Sequence, residues 1–506
     1  MAYGFDMLWY PVGYTAGYLM LLLLVAAPLR RCGAYTIPDF AEGRLDSAAI
    51  RRIATAFVVL IGLFYLLPQL KGAGITLQAA FGTPYWVGVV AVGAMLTANI
   101  ALGGMKSVTL AQAFLYWVKL TAIAVPAIFL VLHLRAGDLH RLDTKGRPEF
   151  ERTTVVTFPQ STSFTVDRPT PVKIHGTLNN RDLNGTMTLE RGQYRAGGGL
   201  QLTFTKGELV PIATGTATSS TLAWNSPLSS AGEGRGHPLF FIYSLMLATF
   251  LGTMGLPHIL VRFYTNPNGR DARRTTLVVL ALIGIFYLFP SIIGALGRLW
   301  VPQLYLTGQT DAVVLDLPGA VFHGLLGQAA TALVAGGAFA AFMSTSSGLL
   351  VSISGALSHD LLRRTVVDFR KAAVLAGIVA ILLALRVYAF DINVLVGWAF
   401  AIAASSFCPL LVLGIWWRGL TPHGAIAGLI VGGGLSSAAI AVTMTGALHG
   451  GWPAALLAQP AAWSVPISFV TMIGVSLATA SKVPANVSLK MLTMHAPETL
   501  GLPIAP

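Results

Sequence analysis

Charge is scarce in this chain of 506 residues. Asp, Glu, Lys and Arg together make up 10%, where a soluble domain carries about 25%. With 55% hydrophobic residues and a mean hydropathy of +0.70, an ordinary soluble domain is excluded and a multi-span membrane protein is indicated. Cysteine is nearly absent. The two present, Cys32 and Cys408, fall in different segments with no metal-ligand spacing, so they read as free thiols. Acidic residues are few, 20 against 33 Lys and Arg, for a net charge of +13. That surplus invites a nucleic-acid reading. Its basic residues are scattered among short loops rather than gathered on one element, so no nucleic-acid partner is expected. No nucleophile–base–orienter set stands out either, and an enzyme is not expected. Met1 to Pro28 does not read as a signal peptide, because Arg30 and Arg31 follow the apolar run instead of preceding it.

Long apolar runs are what the chain does have. A helical span needs about 20 such residues, and about eleven spans are expected near 8–28, 53–80, 86–104, 110–134, 238–261, 275–297, 325–354, 372–390, 393–417, 424–446 and 462–480. Arg30, Arg31, Arg44, Lys106, Arg262, Arg270, Arg363, Arg418 and Lys482 all fall in one set of alternate connections. The positive-inside rule makes that set cytoplasmic, the amino terminus external and the carboxyl terminus internal. The 54 glycines suit close packing and breaks in membrane helices.

Between 136 and 237 the apolar runs stop. TTVVTF, SFTV, PVKIHG, TMTLE and GLQLTFT alternate with period two, broken at Asn184-Gly185 and at the glycines 197–199. This predicts a small β-rich insertion, external by topology, whose tail reads as a flexible linker. It carries no His or Cys cluster, and no chemistry is assigned to it. The expected divisions are 1–135 and 238–420 in the membrane, 136–237 outside, and 421–506 as further helices with a short tail.

Polar residues at membrane depth mark candidate sites. Ala340 to Asp360 reads AAFMSTSSGLLVSISGALSHD, crowded with hydroxyls. These can back-bond to the carbonyl a turn earlier. Alternatively Ser344 and Thr345, with a freed carbonyl near Ala341, offer hard oxygen ligands to a small cation. Pro68, Gly72 and Gly74 predict an interrupted helix holding Gln69 and Lys71. Lys71 either snorkels to the outer surface or supplies a counter-charge to an anionic substrate. Gly252, Gly255 and Pro257 predict a discontinuous helix of the transporter type. His258 beside it either titrates near neutrality or is a satisfied histidine. Gly103 and Gly104 predict a tight turn between antiparallel spans. Lys119 lies deep enough to demand a polar cavity or a partner. Ser405, Ser406 and Pro409 predict another broken span. In the first cytoplasmic loop, RRCGAYTIPDFAEGR, Pro38 and Gly43 break helix and Asp39 is placed to cap a short one.

Several of these strings resemble the sodium:solute symporter family. AAFMSTSSGLLVSISGALSHDL looks like its eighth core helix, which implies a sodium site at Ala341 (backbone oxygen), Ser344 and Thr345. The first loop resembles the family pattern through Arg31, Gly33, Tyr35, Thr36, Asp39, Phe40 and Arg44, a gate and folding element. LGGMKSVTLAQ matches through Gly103, Gly104, Thr109 and Gln112. GLPHILVRF and WAFAIAASSFCPLLVLGIWW resemble the acetate permease branch of cation/acetate symporters. The resemblance implies an all-α, LeuT-like inverted-repeat fold and sodium-driven symport of a small monocarboxylate such as acetate across the plasma membrane, with sodium as coupling ion and no other cofactor. Gln69, Lys71, Gly255, Ser405 and Ser406 are then the expected substrate residues. Gly103, Gly104, Gln112, Pro257 and His258, with Arg31, Asp39 and Arg44, are the expected gating residues. The family begins with a further helix, and Tyr3 to Asp6 resemble the turn after it. On that reading the first core helix is missing and the chain as written is expected to be transport-deficient. The rival expectation is a non-transporting sensor that uses the external β insertion.

Overall fold

The computed structural model describes residues 1–135, 137–138, 148–214, 224, 227–228, 237–264, 266–358, 366–446 and 450–497, without the side chains of 103–111 and 366–367. Most of the expected linker, and Arg363 and Arg364, lie outside these residues.

Among the described residues, ten helical stretches are long and apolar enough to cross a membrane, two of them, Tyr85–Leu102 and Gln112–Leu132, inside one long helix. In chain order the helices are α1 (Gly4–Arg31), α2 (Ile37–Leu45), α3 (Ala48–Phe81), α4 (Tyr85–Leu132), α5 (Pro238–Gly255), α6 (Pro257–Tyr264), α7 (Gly269–Trp300), α8 (Gln303–Thr307), α9 (Val313–Val321), α10 (Gly324–Ala356), α11 (Val366–Ala384), α12 (Ile392–Trp416), α13 (Pro422–Met444), α14 (Gly451–Ala458), α15 (Ala461–Ala478) and α16 (Val487–His495). The eleventh expected span, 372–390, is α11. Asp368, Arg370 and Lys371 in its first turns leave too short an uncharged run for it to count with the ten. Large apolar side chains such as Leu277, Ile285 and Leu288 on α7 and Phe114 and Phe129 on α4 stay exposed on the bundle. Exposed apolar surface of this extent suits hydrocarbon rather than water.

One expected break is present and two are not. Leu256 leaves helical geometry (φ −78°, ψ 115°) between α5 and α6. A residue before proline avoids the helical region, so Pro257 sets the break and starts the next helix. Pro68 and Pro409 interrupt nothing: α3 and α12 run through them. The glycines near them serve close packing instead. A Cβ on Gly72 would lie 2.3 Å from the Phe342 ring, and one on Gly255 2.5 Å from the Ala403 carbonyl of α12. Gly103 and Gly104, expected as a tight turn, lie inside α4, whose backbone is helical through them. Both ends of α4 lie at the insertion end of the bundle: Tyr85 meets Tyr388 edge-on, and His133 meets Trp300 and Phe322.

The insertion is a seven-stranded antiparallel sheet with strands β1 (Thr154–Thr157), β2 (Thr162–Val166), β3 (Thr170–Leu178), β4 (Arg181–Leu189), β5 (Gly192–Ala196), β6 (Gln201–Phe204) and β7 (Ile212–Ala213). Their order is β1-β6-β3-β5-β2-β7, with β4 paired to β3. The β3–β4 hairpin turns at Asn179 and Asn180, both left-handed (φ 50° and 61°), as a two-residue hairpin loop requires. Asn184-Gly185, expected as a turn, sits inside β4. The glycines 197–199 do separate β5 from β6. Phe150, Phe158, Phe164 and Phe204 fill the sheet's apolar core.

At the opposite end, α2 locks the basic face together. Its cap is Thr36 rather than Asp39: the Thr36 hydroxyl accepts from the Asp39 amide at 3.1 Å. Arg51 pairs with Asp39 (2.7 Å) and Glu42 (2.6 Å). Arg31 reaches the His495 carbonyl of α16. Arg44 is buried and donates from Nε to the Gly414 carbonyl (2.9 Å) and from Nη2 to the Trp417 carbonyl (3.1 Å). Burial lowers its pKa to about 10, so it stays charged at neutral pH. Arg44→Met strands both carbonyls, at about 1–3 kcal/mol each. The variant is expected to melt several degrees below the parent in detergent; an unchanged melting temperature would show that the carbonyls find other donors.

Candidate functional site

A cavity of about 490 Å³ lies in mid-bundle, walled by α1, α3, α4, α5, α6, α7, α10 and α12. That volume suits a small molecule. Its upper wall is aromatic. Tyr14 stacks on Tyr287 at 5.9 Å and tilts against Phe400 at 5.0 Å, and Tyr65 lies 5.2 Å from the His258 ring. The break after α5 is what brings His258 and Arg262 to the cavity: α6 restarts the helix on a new axis.

The wall is basic. Lys119 and Arg262 line it beside the neutral ring of His258, and among the described residues no Asp or Glu does. Lys119 Nζ lies 5.5 Å from the Tyr116 ring centroid, within cation–π range. His258 Nδ1 is buried and has no hydrogen-bond partner among the described residues. Arg262 donates to Gln112 Oε1 at 2.7 Å, and Gln112 Nε2 donates to the Ser344 carbonyl at 2.8 Å. Such a wall attracts an anion.

The hydroxyls of α10 divide into two groups. Ser347, Ser352 and Ser354 back-bond to the carbonyls of Met343, Gly348 and Leu350 at 2.6–2.9 Å. Ser344 and Thr345 face the cavity, and their hydroxyls make no hydrogen bond among the described residues. Hydroxyls left open in this way are fit for an oxygen-liganded cation. The freed carbonyl expected at Ala341 is not produced by a break, since α10 is unbroken around it.

The model of the sodium:solute symporter family matches residues 1–148 and 206–432. The chain belongs to the sodium:solute symporter family. It is a membrane transporter and not an enzyme. The match omits 149–205, the bulk of the β insertion. An uncharacterized symporter of Bacillus subtilis, YwcA, is 28% identical over 489 residues, covering 92% of this chain and 80% of the relative. A monocarboxylic acid transporter of Corynebacterium glutamicum is 27% identical over 492 residues, covering 92% and 78%. A sodium-coupled sialic acid symporter, solved substrate-bound and outward-open, superposes with a TM-score of 0.57 at 14% identity, covering 93% of this chain and 84% of that one. The likeness fixes the fold as LeuT-like.

In this symporter the substrate residues expected from sequence do not line the cavity. Ser405 is fully buried, bonded to the Ala401 carbonyl and to Ser464 of α15, and Ser406 is bonded to the Ile402 carbonyl. Because α12 is unbroken, both hydroxyls are used up in helix packing. Gly255 packs against α12. Gln69 is half-buried on α3, away from the wall. Lys71 neither snorkels nor faces the cavity; it is ion-paired to Asp311. Gln112 and His258, expected only as gating residues, are wall residues, as is Lys119. Arg262 was legible only as a loop charge, and Tyr14, Tyr18 and Tyr287 carried no signal distinguishing them from packing aromatics.

Proposed function

We propose that this symporter carries a small monocarboxylate, such as acetate, inward with sodium across the plasma membrane. The amino terminus and the β insertion face outward. The observation that carries the reading is the cavity wall: Lys119 and Arg262, no carboxylate among the described residues, and a lining of aromatic rings. The monocarboxylic acid transporter among the relatives supports the same substrate class. Sodium would be bound through Ser344 and Thr345, whose unused hydroxyls lie in the same cavity. Bound sodium adds to the positive charge there, and the carboxylate is drawn by Lys119, Arg262 and the restarted amino end of α6.

The test is uptake of labelled acetate, pyruvate and propionate into proteoliposomes under an imposed sodium gradient. Saturable uptake that collapses without the gradient, and that acetamide does not compete, is expected. Uptake of none of the three acids, or uptake indifferent to sodium, would refute the proposal.

A further inference from the structure

The β insertion holds the loop between α7 and α9. Tyr305 and Leu306 of α8 are buried in the apolar core of the insertion, together with Phe158, Phe164 and Phe204. α8 also packs directly on β1 and β7. Gly308, left-handed at φ +71°, ends α8 and turns the chain into the short helical turn Thr310–Ala312. That turn carries Asp311.

Asp311 ties three elements together. Its Oδ2 lies 3.1 Å from Lys71 Nζ on α3 and accepts the Ile392 amide at the start of α12 at 3.2 Å. Lys71 also donates to the Phe390 carbonyl. One step away, Gln309 Nε2 donates to the Tyr388 hydroxyl at 3.2 Å. The Lys71 side chain is 5% exposed and that of Asp311 21%. Removing one partner of an ion pair this buried leaves the other without compensation, which is costly. Along α3, Lys71 lies about 9 Å beyond Tyr65 of the cavity wall, and along α12, Ile392 lies about 12 Å beyond Phe400, at 1.5 Å per residue. The tie therefore sits between the cavity and the insertion.

We propose that the Lys71–Asp311 tie is the bolt that shuts the insertion-side path to the cavity, and that the insertion positions Asp311 through α8. Alternating access requires the path on this side to open and close. A single carboxylate shared by α3, α12 and the intervening loop is made or broken as a unit, which gives the path two discrete settings. The insertion thus acts as a positioning element of the gate. The inference rests on the family's fold and not on the substrate.

The test uses the full chain with Cys32→Ser, Cys408→Ala and a reporter, Val396→Cys, on the cavity wall. A membrane-impermeant thiol reagent is applied to intact cells and to inverted vesicles, so either orientation is read. Asp311→Asn and Lys71→Met are each expected to raise insertion-side labelling about fivefold or more, the population shift that loss of a partly buried ion pair produces. Asp311→Glu keeps the charge and should stay within about twofold of the parent. Leu306→Gln, which loosens the grip of the insertion on α8, should move labelling in the same direction as Asp311→Asn. Unchanged labelling in Asp311→Asn and Lys71→Met protein that reaches the membrane would overturn the bolt. Unchanged labelling in Leu306→Gln alone would overturn the role of the insertion. Neither result needs a transported substrate, so the carboxylate reading stands or falls separately.

Discussion

Lys119→Met is expected to cut carboxylate uptake roughly 30-fold or more, with little loss of folded protein. Lys119 points its ammonium into a cavity that has no carboxylate in its wall among the described residues, and the Tyr116 ring is a partner it has there. Removing one side of a buried charge pair costs about 2–5 kcal/mol, and each 1.4 kcal/mol is a factor of about ten. The same logic predicts the stability result. Holding a lysine at this depth costs about 2.5–3.5 kcal/mol on insertion scales, so methionine, which keeps the stem and drops the charge, should not destabilise the helix. Loss of function without loss of stability separates a substrate contact from a packing role. Lys119→Arg should retain part of the uptake at a shifted KM. Were Lys119→Met to keep the parent's KM for acetate, the carboxylate would have to be held by Arg262 and His258 without it.

The position of Lys119 was legible in the sequence because a charge inside an apolar run has to be solvated somehow. The same reasoning placed His258 beside a real helix break and set the β insertion between two spans. It failed where proline was taken as a sufficient cause of a break. Pro68 and Pro409 each remove one amide donor, which a long helix with every neighbouring turn paired absorbs. At Pro257 the preceding residue, Leu256, does leave helical geometry, just after Gly252 and Gly255 bring α5 close against α12. The role of Lys71 was beyond local reading for a different reason. Its partner Asp311 is 240 residues away, in a loop whose position depends on the insertion. The aromatic wall was equally hidden: Tyr14, Tyr65 and Tyr287 come from three helices, and only their packing makes them one surface.

Ser344→Ala and Thr345→Ala are each expected to raise the sodium concentration for half-maximal uptake about tenfold, with the maximal rate less affected. A hydrogen bond or ligand contact to a charged partner is worth about 1.5–3 kcal/mol, and one tenfold step corresponds to about 1.4 kcal/mol. The comparison that gives the test its force lies on the same helix. Ser347 is one turn from Ser344 and equally polar, yet its hydroxyl is spent on the Met343 carbonyl at 2.7 Å. Ser347→Ala removes a back-bond that contributes little to a helix whose backbone is already paired, so sodium dependence there should match the parent. A general loosening of α10 would shift all three variants together. A cation held by the open hydroxyls shifts two and spares the third. Gln112→Leu extends the comparison, because Gln112 holds the Ser344 carbonyl from the side at 2.8 Å. Its loss should weaken sodium dependence in the same direction as Ser344→Ala, since it frees the turn that carries the ligand. If Ser344→Ala and Thr345→Ala both keep the parent's sodium dependence, the ion is bound elsewhere and the open hydroxyls serve the substrate instead.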